Sequence, residues 1–406
     1  MKNVIMLLFK DILYDARVQR EALALAEAGH KVTILCLKEF DKELKLHPNI
    51  QIIRFVISTK KAKQQMGEEI QTLEKKKSLK NMIVSFVRLP AVKILKDIYA
   101  SKEFFDYCFT WLKKNNIKGD VIHSHDLNTL SAGVKLAKAL HAKLIYDSHE
   151  LYNEMAGRKQ LDKNFGYYLE NKLMAYVDHL IVVNPYVQDE FEKRYGKKPT
   201  VILQNTPIFN IDVSKDGLES FRERYNLNER DILLLYQGGV NPQRGIEETI
   251  RAVELLPSEY KLIIMGNGMI KTELIKMVAV LGLNERVFFY DQVPAEDVLY
   301  YTKQAHIGLV MYRNTSKNNF YSTPNKIFEY MLAGIPAVAS NHPGKSYIVE
   351  NEGTGICTEE NPADIAEAVK KIIENYDFYR SNCLANRMKY TWDTEKEKLI
   401  NLYHSL

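Results

Sequence analysis

The feature that most constrains the fold of this chain is a rhythm. Short apolar runs of strand length alternate with stretches of helical periodicity, and the series runs through twice. In the first half, strands are predicted at 4–9, 32–35, 121–125, 144–146, 179–183 and 200–203. Between them lie helices at 104–113, 130–140, 165–176 and 185–195, and an earlier one that Asp15 caps, with Val18, Ala22 and Leu25 on one face and a stop at Gly29. The second half predicts strands at 232–236, 261–265, 287–290, 307–310 and 337–339, with helices at 246–256, 270–281, 295–304 and 363–375. Such alternation implies α/β architecture, with two doubly wound parallel sheets in tandem. The joint is expected near Asn205-Thr-Pro-Ile-Phe209, where turn residues separate the two series.

At 406 residues the chain exceeds one ordinary core, which also argues for two domains. Cys36, Cys108, Cys357 and Cys383 are scattered, with no CxxC pair, and so point to a reducing cytosol rather than a disulfide framework or a zinc knuckle. The opening MKNVIMLLF ends at Lys10 and Asp11, short of a signal-peptide or transmembrane length, and reads as a buried first strand. Net charge is +5, but residues 60–97 hold ten Lys/Arg against four Asp/Glu. Apolar residues interleave with Lys80, Arg88, Lys93 and Lys96 there. That pattern suits either a helix on an anionic membrane surface or a solvated helix packing on its own domain. The remainder is near neutral, which gives no footprint for nucleic acid.

Every motif falls where a strand ends, the place where ligands bind in such sheets. Tyr236-Gln-Gly-Gly-Val-Asn-Pro-Gln-Arg-Gly245 follows a strand and opens a helix. Gly238 and Gly239 let backbone N–H groups approach an anion, and Arg244 adds a forked cation suited to phosphate oxygens. Gly266 and Gly268 form a second such loop, able to pass close to a base or a phosphate. The third element is FYSTPNKIFEYMLAGIPAVAS, 320–340: Thr323 as N-cap and Pro324 open a helix that Gly334 ends. This helix is apolar around most of its circumference, yet Ser322, Asn325, Lys326 and Glu329 fall in one polar arc. A nucleoside diphosphate accounts for both charges, with the lysine on phosphate and the glutamate on ribose hydroxyls. In the first half, His123-Ser-His125-Asp126 and Asp147-Ser-His149-Glu150 end consecutive strands. The histidines raise a metal site, but the chain has no Asp-x-Asp pair to hold a metal-bound diphosphate, so none is expected.

Together DARVQREALALAEAGHKVTIL, HSHDLNTL, YDSHELYNE, GGVNPQRGIEETIRA and PNKIFEYMLAGIPAVAS resemble the retaining glycosyltransferases of the GT-B fold, group 1 (family 4). The resemblance implies two Rossmann-like domains flanking a cleft: an acceptor domain at 1–205, a donor domain at 206–385, and a final helix at 386–406 that packs back on the first. It implies a nucleotide-sugar substrate, UDP- or GDP-linked, no cofactor or metal, and a glycan or lipid-linked acceptor. The expected setting is bacterial surface-polysaccharide synthesis, in the cytoplasm or at the inner face of the plasma membrane. Arg244 matches the basic residue on the donor diphosphate, with Lys326 left to share that positive charge, Glu329 the ribose-binding second glutamate of a Glu-x7-Glu motif, and His149 a histidine at the reaction centre. Val293, with Asp291 and Pro294, would wall the base beside Gly266 and Gly268, while Thr323 and Asn325 open the donor helix. Asp15, Arg17, His125, Asp126 and Glu150 are expected on the acceptor side. Two departures stand out: the first motif glutamate falls at Tyr321, and an arginine common in relatives is Gly239 here. A GT-B epimerase or phosphorylase, or a degenerate transferase acting as a scaffold, are the alternatives.

Overall fold

The computed structural model describes residues 1–58, 90–155, 157–208 and 217–406. It divides into two compact units, Met1–Leu203 with Lys396–Leu406, and Gln204–Glu395.

The first unit is built on a seven-stranded parallel sheet in the order β3-β2-β1-β4-β5-β6-β7. Its strands are β1 (Asn3–Leu8), β2 (Lys31–Leu37), β3 (Ile50–Phe55), β4 (Val121–His125), β5 (Lys143–Ser148), β6 (His179–Val182) and β7 (Thr200–Ile202). Central strands such as Val4–Leu8 are buried without alternation, because helices cover both faces of a parallel sheet. Those helices are α1 (Ala16–Glu27), α2 (Pro90–Lys114), α3 (Leu127–Leu140), α4 (Gln160–Met174) and α5 (Pro185–Tyr195). Asp15 caps α1 by accepting from the Val18 amide at 3.1 Å. Strand order reverses between β1 and β4, so their carboxyl ends open the crevice in which a doubly wound sheet binds ligands.

The second unit carries a six-stranded parallel sheet, β10-β9-β8-β11-β12-β13. Its strands are β8 (Ile232–Gln237), β9 (Tyr260–Met265), β10 (Val287–Tyr290), β11 (Ile307–Val310), β12 (Ala337–Ser340) and β13 (Gly355–Thr358). Here residues divide with the period of two that a strand dictates. Leu234, Tyr236, Leu262 and Ile264 pack with α7 (Ile246–Glu254) and α13 (Pro362–Glu374), which follow α6 (Phe221–Tyr225) in the chain count. Leu233, Leu235, Ile263 and Met265 face Ile327, Phe328 and Met331 of α11 (Asn325–Ala333). The intervening helices are α8 (Lys271–Val280), α9 (Val298–Thr302), α10 (Lys317–Tyr321), α12 (Pro343–Val349) and α14 (Tyr376–Asn386), and α15 (Trp392–Ser405) ends the chain. The reversal lies between β8 and β11.

The rhythm of the sequence matches these parallel sheets, with local differences. β3 and β13 went unforeseen: the first is a half-buried edge strand and the second only four residues long. The helix expected at 295–304 shrinks to Val298–Thr302. Of the basic segment 60–97, residues 60–89 lie outside the described residues and 90–97 open α2. Among the described residues no helix is long and apolar enough to cross a membrane.

Candidate functional site

In the second unit, β8 delivers the chain into Gly238 and Gly239, both exposed, and Gly238 takes φ +111°. The next loop lies directly alongside. Gly238 N donates to Met265 O at 2.9 Å and Val240 N to Asn267 O at 3.0 Å. A Cβ on Gly266 would sit 2.0 Å from Gly238 O, and one on Gly268 2.1 Å from Val240 O. These two glycines are therefore required for loop-on-loop packing, a duty that the sequence reading did not assign to them. Gly245, at φ +67°, has the same need: its Cβ would meet Met311 O at 1.7 Å.

Three cations converge behind this loop on the ring of Tyr312. The guanidinium carbon of Arg244 lies 4.2 Å from the ring centroid, Lys345 Nζ 5.1 Å and Lys326 Nζ 5.6 Å. Lys326 Nζ also lies 3.9 Å over the Tyr236 ring and 3.6 Å from where a Gly238 Cβ would stand. Lys326 is 7% exposed and Lys345 fully buried. Among the described residues none of the three cations forms an ion pair. Burial, reinforced by Arg244, lowers the pKa of Lys326 to about 7, and burial lowers that of Lys345 likewise to about 7. Lys345 donates to the carbonyls of Asn319 (2.6 Å) and Ser322 (3.1 Å), bracing the turn before α11.

Glu329 sits one helical turn beyond Lys326, half-buried, and accepts from Gln237 Nε2. Gln237 is fixed in turn by Thr302, whose hydroxyl donates to Oε1 at 2.8 Å. The carboxylate is thus held at the end of β8 beside the glycine loop. Thr323 is not the cap expected of it. The helix starts at Asn325 behind Pro324, because the Thr323 hydroxyl donates instead to Gly344 O at 2.5 Å. Asn325 is exposed on the first turn. Val293 packs partly into the core, while Asp291 pairs with Lys271 at 2.6 Å.

In the first unit, β1, β4, β5 and α1 bring a buried network together around Asp147. Arg17 grips its carboxylate with two hydrogen bonds, of 3.1 and 2.9 Å, pairs with Glu21 at 2.8 Å and donates to Leu203 O at 3.0 Å. His125 Nδ1 lies 3.4 Å and His149 Nε2 3.2 Å from Asp147 Oδ2, and His123 Nδ1 meets Tyr403 Oη of α15 at 3.0 Å. Burial drives the Glu21 carboxyl well above its ordinary range, while Arg17 and His149 hold Asp147 well below. Arg17 is 4% exposed and His125 wholly buried, and the contacts they make here lie within the interior of the first unit. One ligand atom each from Glu21, His123, His125 and Asp147 lies within 4.8 Å of the others, a donor set of divalent-cation type. The Arg17 guanidinium, however, already engages both carboxylates and supplies their countercharge.

His149 is the member that reaches the rim, its side chain 14% exposed. Burial opposes its protonation, yet Asp126 and Asp147 lift its pKa to about 9, so the ring is a cation at neutral pH. Asp126 stands 3.6 Å from His149 Nδ1 and is held at φ 62°, ψ 164°, a region that side chains other than glycine rarely enter. Its amide is tied to Asp147 O at 2.8 Å, so the network enforces that strain. Asp15 pairs with Lys10 at 2.7 Å; against its burial, His149 and Lys10 depress its pKa to about 2. Glu150 is half-buried next to His149. Tyr236, Gln237, Tyr312 and Lys345 were missed as site residues. The first two open a motif already in view, whereas nothing in PGKSYIV marks its lysine as buried.

The family model for glycosyl transferases group 1 matches residues 218–391, and that for glycosyltransferase family 4 matches residues 16–205. An uncharacterized glycosyltransferase of Methanocaldococcus jannaschii is 25% identical over 301 residues, spanning 70% of this chain and 75% of that protein. An amylovoran biosynthesis glycosyltransferase of Erwinia amylovora is 25% identical over 177 residues, 42% of this chain and 43% of its own length. The crystal structure of Anabaena HepE in complex with UDP superposes with a TM-score of 0.72 at 17% identity, covering all of both chains. Two parallel doubly wound units, a glycine loop and polar helix at the switch point of the second, and family matches across both agree: this chain belongs to the group 1 glycosyltransferases of the GT-B fold.

Proposed function

We propose that this glycosyltransferase moves a hexose from a UDP- or GDP-linked donor to a glycan or lipid-linked acceptor, with retention of anomeric configuration and without a metal ion. The assembly of a bacterial cell-surface polysaccharide is the proposed setting, supported by the amylovoran relative. The observation that carries the reading is the trio Arg244, Lys326 and Lys345 around Tyr312, unmatched by any bonded carboxylate and set behind the Gly238–Gly239 loop. Such a site fits a diphosphate, and the fold relative that holds UDP supports the same ligand class. Glu329, fixed by Gln237, suits ribose hydroxyls rather than phosphate.

In the proposed step the bond from the anomeric carbon to the diphosphate oxygen breaks. The acceptor hydroxyl bonds to the same face of that carbon, and its proton passes to the departing diphosphate. Arg244 and Lys326 stabilise the charge that develops on the leaving group, with His149 holding a sugar hydroxyl. Residues 60–97 are proposed to rest on an anionic membrane surface because of their interleaved charge. Replacing Lys75, Lys76 and Lys77 by glutamine should then release the protein from anionic liposomes, and unchanged retention refutes it.

The test is thermal stability against UDP-, GDP-, ADP- and TDP-sugars, followed by NMR of the product's anomeric proton. Stabilisation by one nucleotide class and product of the donor's configuration support the proposal, and an inverted product overturns retention. Tyr321 in place of a carboxylate favours a second reading, a binding-competent but inactive scaffold. Donor binding with no transfer to any acceptor of a glycan library would select it.

A further inference from the structure

Lys345 presents a problem that the donor site alone does not solve. Its ammonium is fully buried, shares the Tyr312 ring with Arg244 and Lys326, and meets only neutral acceptors, the carbonyls of Asn319 and Ser322. A buried charge without an opposite partner is unfavourable, and two like neighbours make it more so. A neutral amine, by contrast, keeps two N–H donors for the two carbonyls, so the brace before α11 survives loss of a proton.

The groups facing each lysine bear this out. Around Lys326 stand Tyr236 from β8, Arg244 from the loop before α7, Tyr312 after β11 and, on its own helix, Glu329. Around Lys345 stand Tyr312, Arg244, the carbonyls at the end of α10, and Cys357 and Glu360 on the β13 side. Burial pushes the Cys357 thiol up to about 12, so it brings no charge. Glu360 is engaged by His342, at the start of Lys345's own helix. The one carboxylate beside each lysine is thus directed elsewhere, Glu329 to Gln237 and Glu360 to His342.

We propose that Lys345, together with Lys326, takes up a proton from solvent when the donor's diphosphate enters, so that donor binding and proton uptake are a single linked event. The proposal rests on the donor site described above and adds to it a residue and a regulation. A doubly charged diphosphate supplies the missing opposite charge and favours the protonated amines. The lowered proton affinities, both near 7, agree in sign: below about pH 7 the lysines are already charged and binding brings no uptake. Above it donor binding must draw a proton from solvent, and affinity falls as pH rises.

The experiment is titration calorimetry of the full chain with UDP-glucose, GDP-mannose, ADP-glucose and TDP-glucose, at about pH 8, in HEPES and in Tris, which differ in ionisation enthalpy. Nucleotide sugars are used because their diphosphates do not titrate there. The expected result for the donor that binds is uptake of about one proton, reduced in Lys345→Met and in Lys326→Met, and weaker binding at about pH 9 than at pH 7. Binding with the same heat in both buffers overturns the inference and leaves the donor assignment standing. Uptake unchanged in both variants overturns the assignment to these lysines. No binding by any of the four sugars overturns the donor reading and this inference together.

Discussion

Arg17 and Asp147 lie 130 residues apart and meet through two hydrogen bonds, Nε to Oδ2 at 3.1 Å and a terminal nitrogen to Oδ1 at 2.9 Å. The pair joins α1 to the carboxyl end of β5, and the same carboxylate orients His125 and His149. One buried ion pair therefore ties α1 to β5, and its carboxylate joins Asp126 in favouring the charged form of the rim histidine.

Removing one partner of such a pair leaves the other charged and buried, which costs about 3–5 kcal/mol. Arg17→Met should lose stability of that order in urea unfolding of the first-unit transition. Replacing both, Arg17→Met with Asp147→Leu, should recover part of it, since no lone charge then remains. A loss under about 1 kcal/mol in the single variant would contradict the central role given to Asp147.

His149 should titrate far above an ordinary imidazole. With its folded pKa raised from 6.5 to about 9, it contributes stability that is fully present below about pH 6.5 and lost as pH rises through 9. That contribution is on the order of 3 kcal/mol at most. Lys326 and Lys345, whose folded pKa values are lowered, act with the opposite sign above pH 7, so the comparison must be wild type against His149→Gln. The gap in unfolding midpoint between the two should narrow from pH 6 to pH 10. An NMR titration placing the His149 Cε1 proton near 6.5 would refute the assignment.

The parallel sheets were legible because buried strands write themselves as continuous apolar runs: NVIMLL, ILLLYQ and YKLIIM need no partner to be recognised. IQIIRF at an edge and the four-residue GICT carry too little of that signal. In the site, Lys326 and Glu329 declared themselves by interrupting an apolar helix. Lys345 did not, because its burial depends on the end of α10, 26 positions earlier in the chain, and on Tyr312 after β11, earlier still, which only tertiary structure brings to it. Arg17 and His125 stood in legible motifs, yet their burial was not legible, because it too depends on partners distant in sequence such as Asp147 and Leu203. Thr323 shows the limit of local rules, since a strong capping residue served a carbonyl 21 positions away.

Gly245→Ala should destabilise the second unit directly. The new methyl would overlap Met311 O at 1.7 Å, and φ +67° is strained for alanine. A loss of about 2 kcal/mol or more in thermal or urea unfolding is expected, with no donor present. Gly239→Ala, whose backbone has ordinary φ and whose nearest atom is a side-chain nitrogen of Asn241, should cost far less. Equal losses at the two positions would show that the loop yields, contrary to the close approach described.

The charged residues of the second unit should separate by kinetic signature. In the proposed step Arg244 and Lys326 face charge that grows as the donor bond breaks, so Arg244→Ala and Lys326→Met should each lower kcat, by about 2–4 kcal/mol of barrier. In the proposed donor site Glu329 meets the ribose, a part of the donor that does not react. Glu329→Gln keeps the shape and the partnership with Gln237 while losing the charge, and should raise the donor KM by about tenfold with kcat little changed. The divided pattern is informative because a general loss of folding would lower all three alike. If Glu329→Gln lost turnover while donor affinity held, its carboxylate would belong to the reacting centre. The ribose would then need another partner.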